Sequence, residues 1–501
     1  MATQDTGSAP DAYEDLLGRY ERATYIGDAA GVLSWDQEVV MPEGGTPARS
    51  KQRSALSGAR HDVLTSDAFA DALEACEAAE LPAEEAAVVR EIRREYDRAA
   101  KVPKSLVERI SEETSNALPV WKEAKANDDW SAFAPQVETL LELKREYAAH
   151  IDPDADPYAV LFADYEPWLD LEVAERILER LRDELVPLVE QLNDADAALA
   201  DPFDGTYDDD AQFALAERTL DYLGYPEDHG RLDTAPHPFS SGTQFDARVT
   251  TRFDESDPVS SIGSVIHEFG HATYTLGLPR EAYGTPLGQN RGLSVHESQS
   301  RLWENHVGRS RAFADGYVDI VNDELGTDVS ARELYEAANQ IYPENRIRVE
   351  ADELTYHMHI ILRFEIERDL IAGDLAVEDV PQVWNEKMEE YLGVVPDTDA
   401  EGCLQDIHWS HGSFGYFPTY SLGSVMAAQL YDAASDDIDD LEGRTEAGEF
   451  DALHEWLTEN VHRHGRRYPT NELVREATGE DFSADAFVEY ADAKFRDLYG
   501  L

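Results

Sequence analysis

His267 and His271 stand four residues apart, with Glu268 directly after the first histidine. On a helix this spacing puts two imidazoles one turn apart on the same face. Their nitrogens can then meet one divalent ion at about 2.0–2.1 Å. Glu268 points to the side of that ion, where a carboxylate can take a proton from water. A chain of this His and Glu content yields about 0.05 chance matches to H-E-x-x-H, so a coincidental pair of surface histidines is the weaker reading. A catalytic zinc takes three protein ligands and keeps one position open. The third ligand is expected on a nearby element, and Glu297 in GLSVHESQSRLWENHVG is the first candidate. Two alternatives stand beside it. Ser294 and Glu297 have the spacing of a helix capping box, and His296 is a rival ligand.

The elements that must position these residues have readable ends. Asp257 suits a helix N-cap, Pro258 the first helical position and Gly277 the C-terminal cap, with Pro279 beyond. Ile262, Val265, Ile266, Phe269 and Leu276 supply the buried face of this helix. Gly270 is a poor helix former, and close approach of another segment would explain it. Gly284, Pro286, Gly288 and Gly292 predict a turning loop, after which a second helix runs back antiparallel and presents Glu297. Just upstream, Asp246, Arg248, Thr250 and Arg252 alternate with apolar residues, the period of a strand. Such a strand beside the metal helix is a natural wall for an extended peptide, because strand edges pair with peptide backbone.

The remainder reads as helix. Leu171, Ile177, Leu178, Leu181, Leu185, Leu188 and Leu192 follow helical spacing, with Pro187 expected to kink or end the run. Leu354, Met358, Ile361, Leu362, Ile366 and Leu370 line one face of a helix expected near 351–371. The acidic stretch 432–449 is expected as a solvated loop. The whole is expected to be mainly α: one large helical peptidase domain over 1–501, cleft into two lobes, with one small β segment next to the metal helix. Residues 1–150 would form an N-terminal helical lid or lobe, and 151–501 the catalytic body.

Composition narrows the partners. Hydrophobic residues make up 42% of the chain, enough for a large buried core. Lys+Arg total 42 against Asp+Glu 104, a formal net charge of -62. Nucleic acid and anionic membrane surfaces would repel such a chain. The acids recur along the whole length and lysine is scarce, a pattern expected of a halophilic protein whose self-repulsion is screened by molar salt. No run is apolar enough to span a bilayer. With no basic n-region and no apolar stretch in MATQDTGSAPDAYEDLL, no secretory leader is expected. Cys76 and Cys403 alone make no disulfide framework, which fits a reducing cytoplasm.

Six segments together resemble one family. They are His237-Pro238-Phe239, Asp246-Ala247-Arg248-Val249-Thr250, His267-Glu268-Phe269-Gly270-His271, His296-Glu297-Ser298-Gln299, Ile347-Arg348-Val349-Glu350-Ala351-Asp352 and Gly402-Cys403-Leu404-Gln405-Asp406-Ile407-His408-Trp409. In this order they resemble the thermostable carboxypeptidase (carboxypeptidase Taq) family of zinc metallopeptidases, over most of the chain. The resemblance implies an almost wholly helical fold with a deep cleft, a homodimer, and release of single residues from peptide C-termini. It implies Glu297 as third metal ligand, Zn2+ as cofactor with Co2+ a substitute, and peptides as substrates. His408, in a family motif, and Tyr420, in GYFPTYSLG, are candidate donors to the developing oxyanion, with a packed tyrosine the plainer reading of Tyr420. Arg348 and Arg248 are candidates to bind the terminal carboxylate as planar bidentate donors. Arg348 has a competitor in Asp352, four residues on. His237 either contacts substrate or packs. The rival readings are a zinc endo-oligopeptidase and a non-catalytic metal-binding protein. An intact Glu268 argues against the latter, since a structural site needs no base.

Overall fold

A computed structural model describes residues 9–501, apart from 196 and 343. Residues 1–8, which open the segment read as lacking a leader, lie outside the described residues. The chain is built of helices: α1 (Ala9–Val39), α2 (Thr46–Leu64), α3 (Asp67–Glu77), α4 (Ala83–Lys101), α5 (Lys104–Asn127), α6 (Trp130–Ile151), α7 (Pro157–Tyr165), α8 (Leu171–Asn193) and α9 (Asp209–Leu223) precede the strands. After them come α10 (Pro258–Gly277), α11 (Leu293–Arg301), α12 (Arg311–Leu325), α13 (Ala331–Ala338), α14 (Thr355–Ala372), α15 (Val380–Leu392), α16 (Pro418–Asp437), α17 (Leu441–Glu446), α18 (Asp451–Asn460), α19 (Thr470–Thr478) and α20 (Asp485–Tyr499). The apolar stripes of these helices close two large cores and, among the described residues, a small third one of Val102, Leu106 and Leu143. One runs from Ala117 to Leu498 and unites α5 through α20. The other, from Leu16 to Ile92, is built by α1 to α4. No helix among the described residues is long and apolar enough to cross a membrane.

The β segment is a three-stranded sheet of β1 (Leu232–Thr234), β2 (Ser240–Thr243) and β3 (Asp246–Thr251), in the order β1-β3-β2. The alternating segment is β3. It does not offer the expected edge for a peptide. β1 pairs with it in parallel and β2 antiparallel, so both its edges are taken and the sheet's outer edge on the α10 side belongs to β2. Thr250 ties the two upstream segments together. Its hydroxyl donates to the carbonyl of Phe239 at 3.0 Å and accepts the Phe239 N–H at 2.8 Å.

Pro187, expected to kink or end its helix, does not end it, and three other expectations about helices need correction. α8 continues through Pro187. Pro187 and Asp183, whose carbonyl loses its partner, are both exposed. The acidic stretch 432–449 is mostly helical, as the end of α16 and all of α17. The helix expected from 351 starts at Thr355, because Asp352 caps it: Oδ1 accepts the N–H of Leu354 and of Thr355, each at 2.9 Å. Gly277 is the last residue of α10 and Leu278 its cap. Gly277 is needed for room, since a Cβ there would lie 2.2 Å from Nδ1 of His462.

Candidate metal centre and active site

α10 begins as its sequence dictates, with Asp257 accepting the N–H of Ser260 at 3.0 Å and Pro258 in the first turn. α11 crosses it closely at Gly270, where a Cβ would meet the carbonyl oxygen of Gln299 at 2.5 Å and Cα of Ser300 at 2.6 Å. This contact brings Glu297 to the two histidines. Nε2 of His267 lies 3.8 Å and Nε2 of His271 3.6 Å from Oε2 of Glu297. Ligand atoms of the three residues all lie within 4.8 Å of one another.

The remaining ring nitrogens are engaged, which leaves each Nε2 lone pair aimed at the centre. His267 Nδ1–H donates to Oε2 of Glu304 at 2.9 Å, and His271 Nδ1–H donates to the carbonyl of His296 at 3.1 Å. Such acceptors fix the tautomer a metal needs. Burial pushes the Glu304 carboxyl up, but Arg301, Arg309 and His267 outweigh it and hold it well below the usual range. Arg301 also donates to Oε1 of Glu297 at 2.8 Å. Burial, with His296 and His267 nearby, lowers His271 well below its ordinary value, so it stays a neutral ligand. At His267 burial is outweighed by Glu297 and Glu304, which raise it above its ordinary value, so a metal there would displace a proton. The donor set, two imidazoles and one carboxylate converging with oriented outer partners, fits a divalent metal ion.

Glu297 does not cap its own helix. Gly292 is the N-cap, and the N–H and hydroxyl of Ser294 both donate to Glu166. His296 stays out of the cluster, its ring stacked on that of His271 at 4.1 Å. Glu268 is 6% exposed, and its Oε2 is buried without a hydrogen-bond partner. Burial first, then Glu297 and Glu304 against His267, raise its carboxyl to about 7. A backbone hydrogen bond from Ser240, at the start of β2, reaches it as well.

Arg348 lines the 820 Å³ cavity that also contains His267 and Tyr356. Its partner is Asp406, with Nη2 at 2.9 Å from Oδ1, and Asp352 is occupied as the cap of α14. Asp406 also accepts from Nε of Arg363 at 2.7 Å. Nη1 of Arg348 donates to the Tyr356 hydroxyl at 3.0 Å. The Tyr356, Tyr420 and Phe417 rings surround this guanidinium at 5.8, 5.4 and 5.9 Å. Arg248 is held by Asp246 at 2.7 Å and stacks at 4.3 Å on Trp35 of α1. It lines neither cavity beside the metal centre. His408 sits behind the aromatic cage, 4.5 Å from the Phe417 ring. Burial lowers it to about 4, and its Nδ1 has no hydrogen-bond partner. His237 is exposed in the bend between β1 and β2. The sequence reading missed Glu304, Arg301 and Tyr356, and it missed Gly423, against which Glu297 packs. Only the WEN triplet after HESQ carried a signal for Glu304, one more acid seven residues beyond Glu297.

Comparison with known proteins identifies the family. Residues 15–495 match the family described as carboxypeptidase Taq (M32) metallopeptidase. The chain is 36% identical over 494 residues to thermostable carboxypeptidase 1 of Pyrococcus furiosus, covering 97% of this chain and 98% of that one. It is 34% identical over 497 residues to carboxypeptidase 1 of Bacillus subtilis, with 97% and 98% covered. The crystal structure of the M32 carboxypeptidase from Deinococcus radiodurans superposes with a TM-score of 0.94 at 35% identity, covering 98% of this chain and 100% of that one. The chain belongs to the carboxypeptidase Taq (M32) family and is a metallocarboxypeptidase.

Proposed function

We propose that this enzyme holds zinc on His267, His271 and Glu297 and releases single residues from peptide C-termini, with broad tolerance of the residue released. The observation that carries the reading is the buried, unpartnered Oε2 of Glu268 beside the converging Nε2 atoms and the Glu297 carboxylate. Zinc bound there would supply Lewis acidity, polarising the scissile carbonyl and acidifying the attacking water. Glu268 takes that water's proton at Oε2 and delivers it to the leaving amine. His408, kept neutral by burial, and the Tyr420 hydroxyl are the candidate donors to the oxyanion.

Arg348 is the residue we assign to the substrate's terminal carboxylate. It shares one carboxylate, Asp406, with Arg363, which leaves one positive charge over in a buried place. A bound carboxylate would neutralise it. Arg248, pinned by Asp246 and Trp35, is the second choice, and His237 is placed to touch substrate only from the surface. The enzyme is further read as a single peptidase domain with residues 1–150 as a helical lid or lobe, a cytoplasmic homodimer, and a protein adapted to high salt.

The test is product analysis by mass on peptides with free and with amidated C-termini. Stepwise single-residue loss, strongly slowed by amidation, is expected. Chelation should abolish it, and zinc or cobalt should restore it. Internal cuts in an amidated peptide would instead establish the endo-oligopeptidase reading. Full turnover by metal-free protein would overturn the metal mechanism, and no cleavage by the zinc-loaded protein would establish a binding protein.

A further inference from the structure

The metal centre lies between two cavities. His267 lines the one containing Arg348, and His296, stacked on His271, lines a second of 710 Å³. In a chain with 104 acidic and 42 basic residues, the second cavity is lined by five arginines: Arg60, Arg94, Arg98, Arg291 and Arg466. Most are accounted for. Arg291 is paired through both Nη atoms with Glu91 at 2.9 and 2.8 Å, and Arg98 is paired with Asp164. Glu95 is shared by Arg466 at 2.7 Å and Arg60 at 3.4 Å.

Arg94 is the exception. Among the described residues it makes no ion pair, and its one hydrogen bond runs to the carbonyl of Ala163. Burial first, then Arg98, disfavour its charge, and the nearby Asp164 and Glu91 are already engaged. A mostly buried guanidinium without a counter-ion is costly unless an anion completes it. The cavity is far larger than one inorganic anion needs, and it reaches the metal centre at His296, on the ring that stacks against the ligand His271, whereas Arg348 shares the other cavity with His267. A peptide whose terminal carboxylate sits on Arg348 would cross the metal and send its upstream residues this way.

Resting on the carboxypeptidase reading, we propose that this cavity is a subsite for an acidic side chain upstream of the scissile bond, with Arg94 as the residue that binds its carboxylate. Arg60 and Arg466 contribute the surrounding positive field, since Glu95 neutralises only one of them. The subsite gives a strongly acidic protein a local means of accepting acidic peptides.

The experiment measures kcat/KM for unblocked peptides that share one C-terminal residue and carry Glu, Gln or Lys at each upstream position in turn. Ionic strength is held constant. At one position Glu should exceed Gln by at least about tenfold, the scale of one charge-assisted hydrogen bond, mainly through KM, and Lys should be poorest. Arg94→Gln should bring the Glu-to-Gln ratio below about twofold, and Arg94→Lys should retain part of it. Inorganic phosphate should compete with the Glu peptide more than with the Gln peptide. Glu and Gln within about twofold at every position would overturn the proposal. So would phosphate raising the melting temperature of the wild type but not of Arg94→Gln without any Glu preference, since the cavity would then hold a free anion only. If Arg94→Gln does not fold, the wild-type ratios and Arg94→Lys decide. Gln peptides trimmed from the C-terminus without a Glu preference would sink the subsite alone. Failure of the zinc-loaded enzyme to trim any of these peptides would sink the carboxypeptidase reading itself.

Discussion

Gly423 of α16 lies directly against Glu297, where a Cβ would meet both Cβ and Cγ of the glutamate at 2.5 Å. The third member of the metal cluster is therefore placed from behind by the absence of a side chain on another helix. Gly423→Ala must push Glu297 away from His267 and His271, because neither helix can yield easily in a packed core. Zinc affinity should fall by about 10–100-fold, the range seen when a ligand's support is removed. Competition with a chromophoric chelator measures it, and unchanged affinity in a folded Gly423→Ala protein would refute the placement.

Two glutamates near the metal should fail in different ways. Glu268→Gln keeps the shape but cannot accept a proton, so metal content should stay near one per chain while kcat drops by about 10²–10⁴-fold. Glu304→Gln removes the anionic acceptor of His267 Nδ1–H, and its first effect should be weaker metal binding, again by about 10–100-fold. Metal analysis and steady-state rates on both variants separate the roles. Equal loss of metal in the two would contradict the assignment of Glu268 as base.

Glu166 gives a pH dependence with a definite sign. Burial raises its carboxyl from 4.5 to about 8, against the hydrogen bonds from Ser294. The folded state therefore favours the protonated form. The stability this group contributes is complete below about 4.5 and is lost as pH rises through about 8. Glu166→Gln mimics the protonated acid at all pH values and can still accept the Ser294 N–H. Its melting temperature relative to the wild type should climb between pH 5 and pH 9. A constant difference across that range would show that Glu166 does not titrate there.

Salt should decide whether the fold persists. A formal charge of -62 repels itself across a Debye length of roughly 30 Å at 0.01 M salt and of only about 3 Å at 1 M. The unfolded chain spreads those charges, so dilute buffer favours unfolding. Helicity by circular dichroism and peptidase rate should both rise with potassium chloride from millimolar to molar. Full structure and full rate in millimolar salt would remove the halophilic reading and leave the metal chemistry untouched.

The sequence by itself determined what neighbours within a turn or two decide. The four-residue spacing of His267 and His271 and the Asp257 cap follow from local backbone geometry and are found in place. The period-two run is a strand, β3, but its alternation holds only over 246–249, since Thr250 and Thr251 are both buried and Phe245 is exposed. Gly270 also signalled a close crossing that α11 supplies. Local spacing left rival readings open where a long-range partner took the residue. Arg348 turned to Asp406, 58 positions away, rather than to Asp352, and Ser294 turned to Glu166, 128 positions away, rather than to Glu297. The orienting bond from His267 to Glu304, the packing of Gly423 on Glu297 and the burial of both edges of β3 arise only when distant elements pack. Tertiary structure decides these because a hydrogen bond or a close approach depends on the relative placement of helices, which no spacing along one helix encodes.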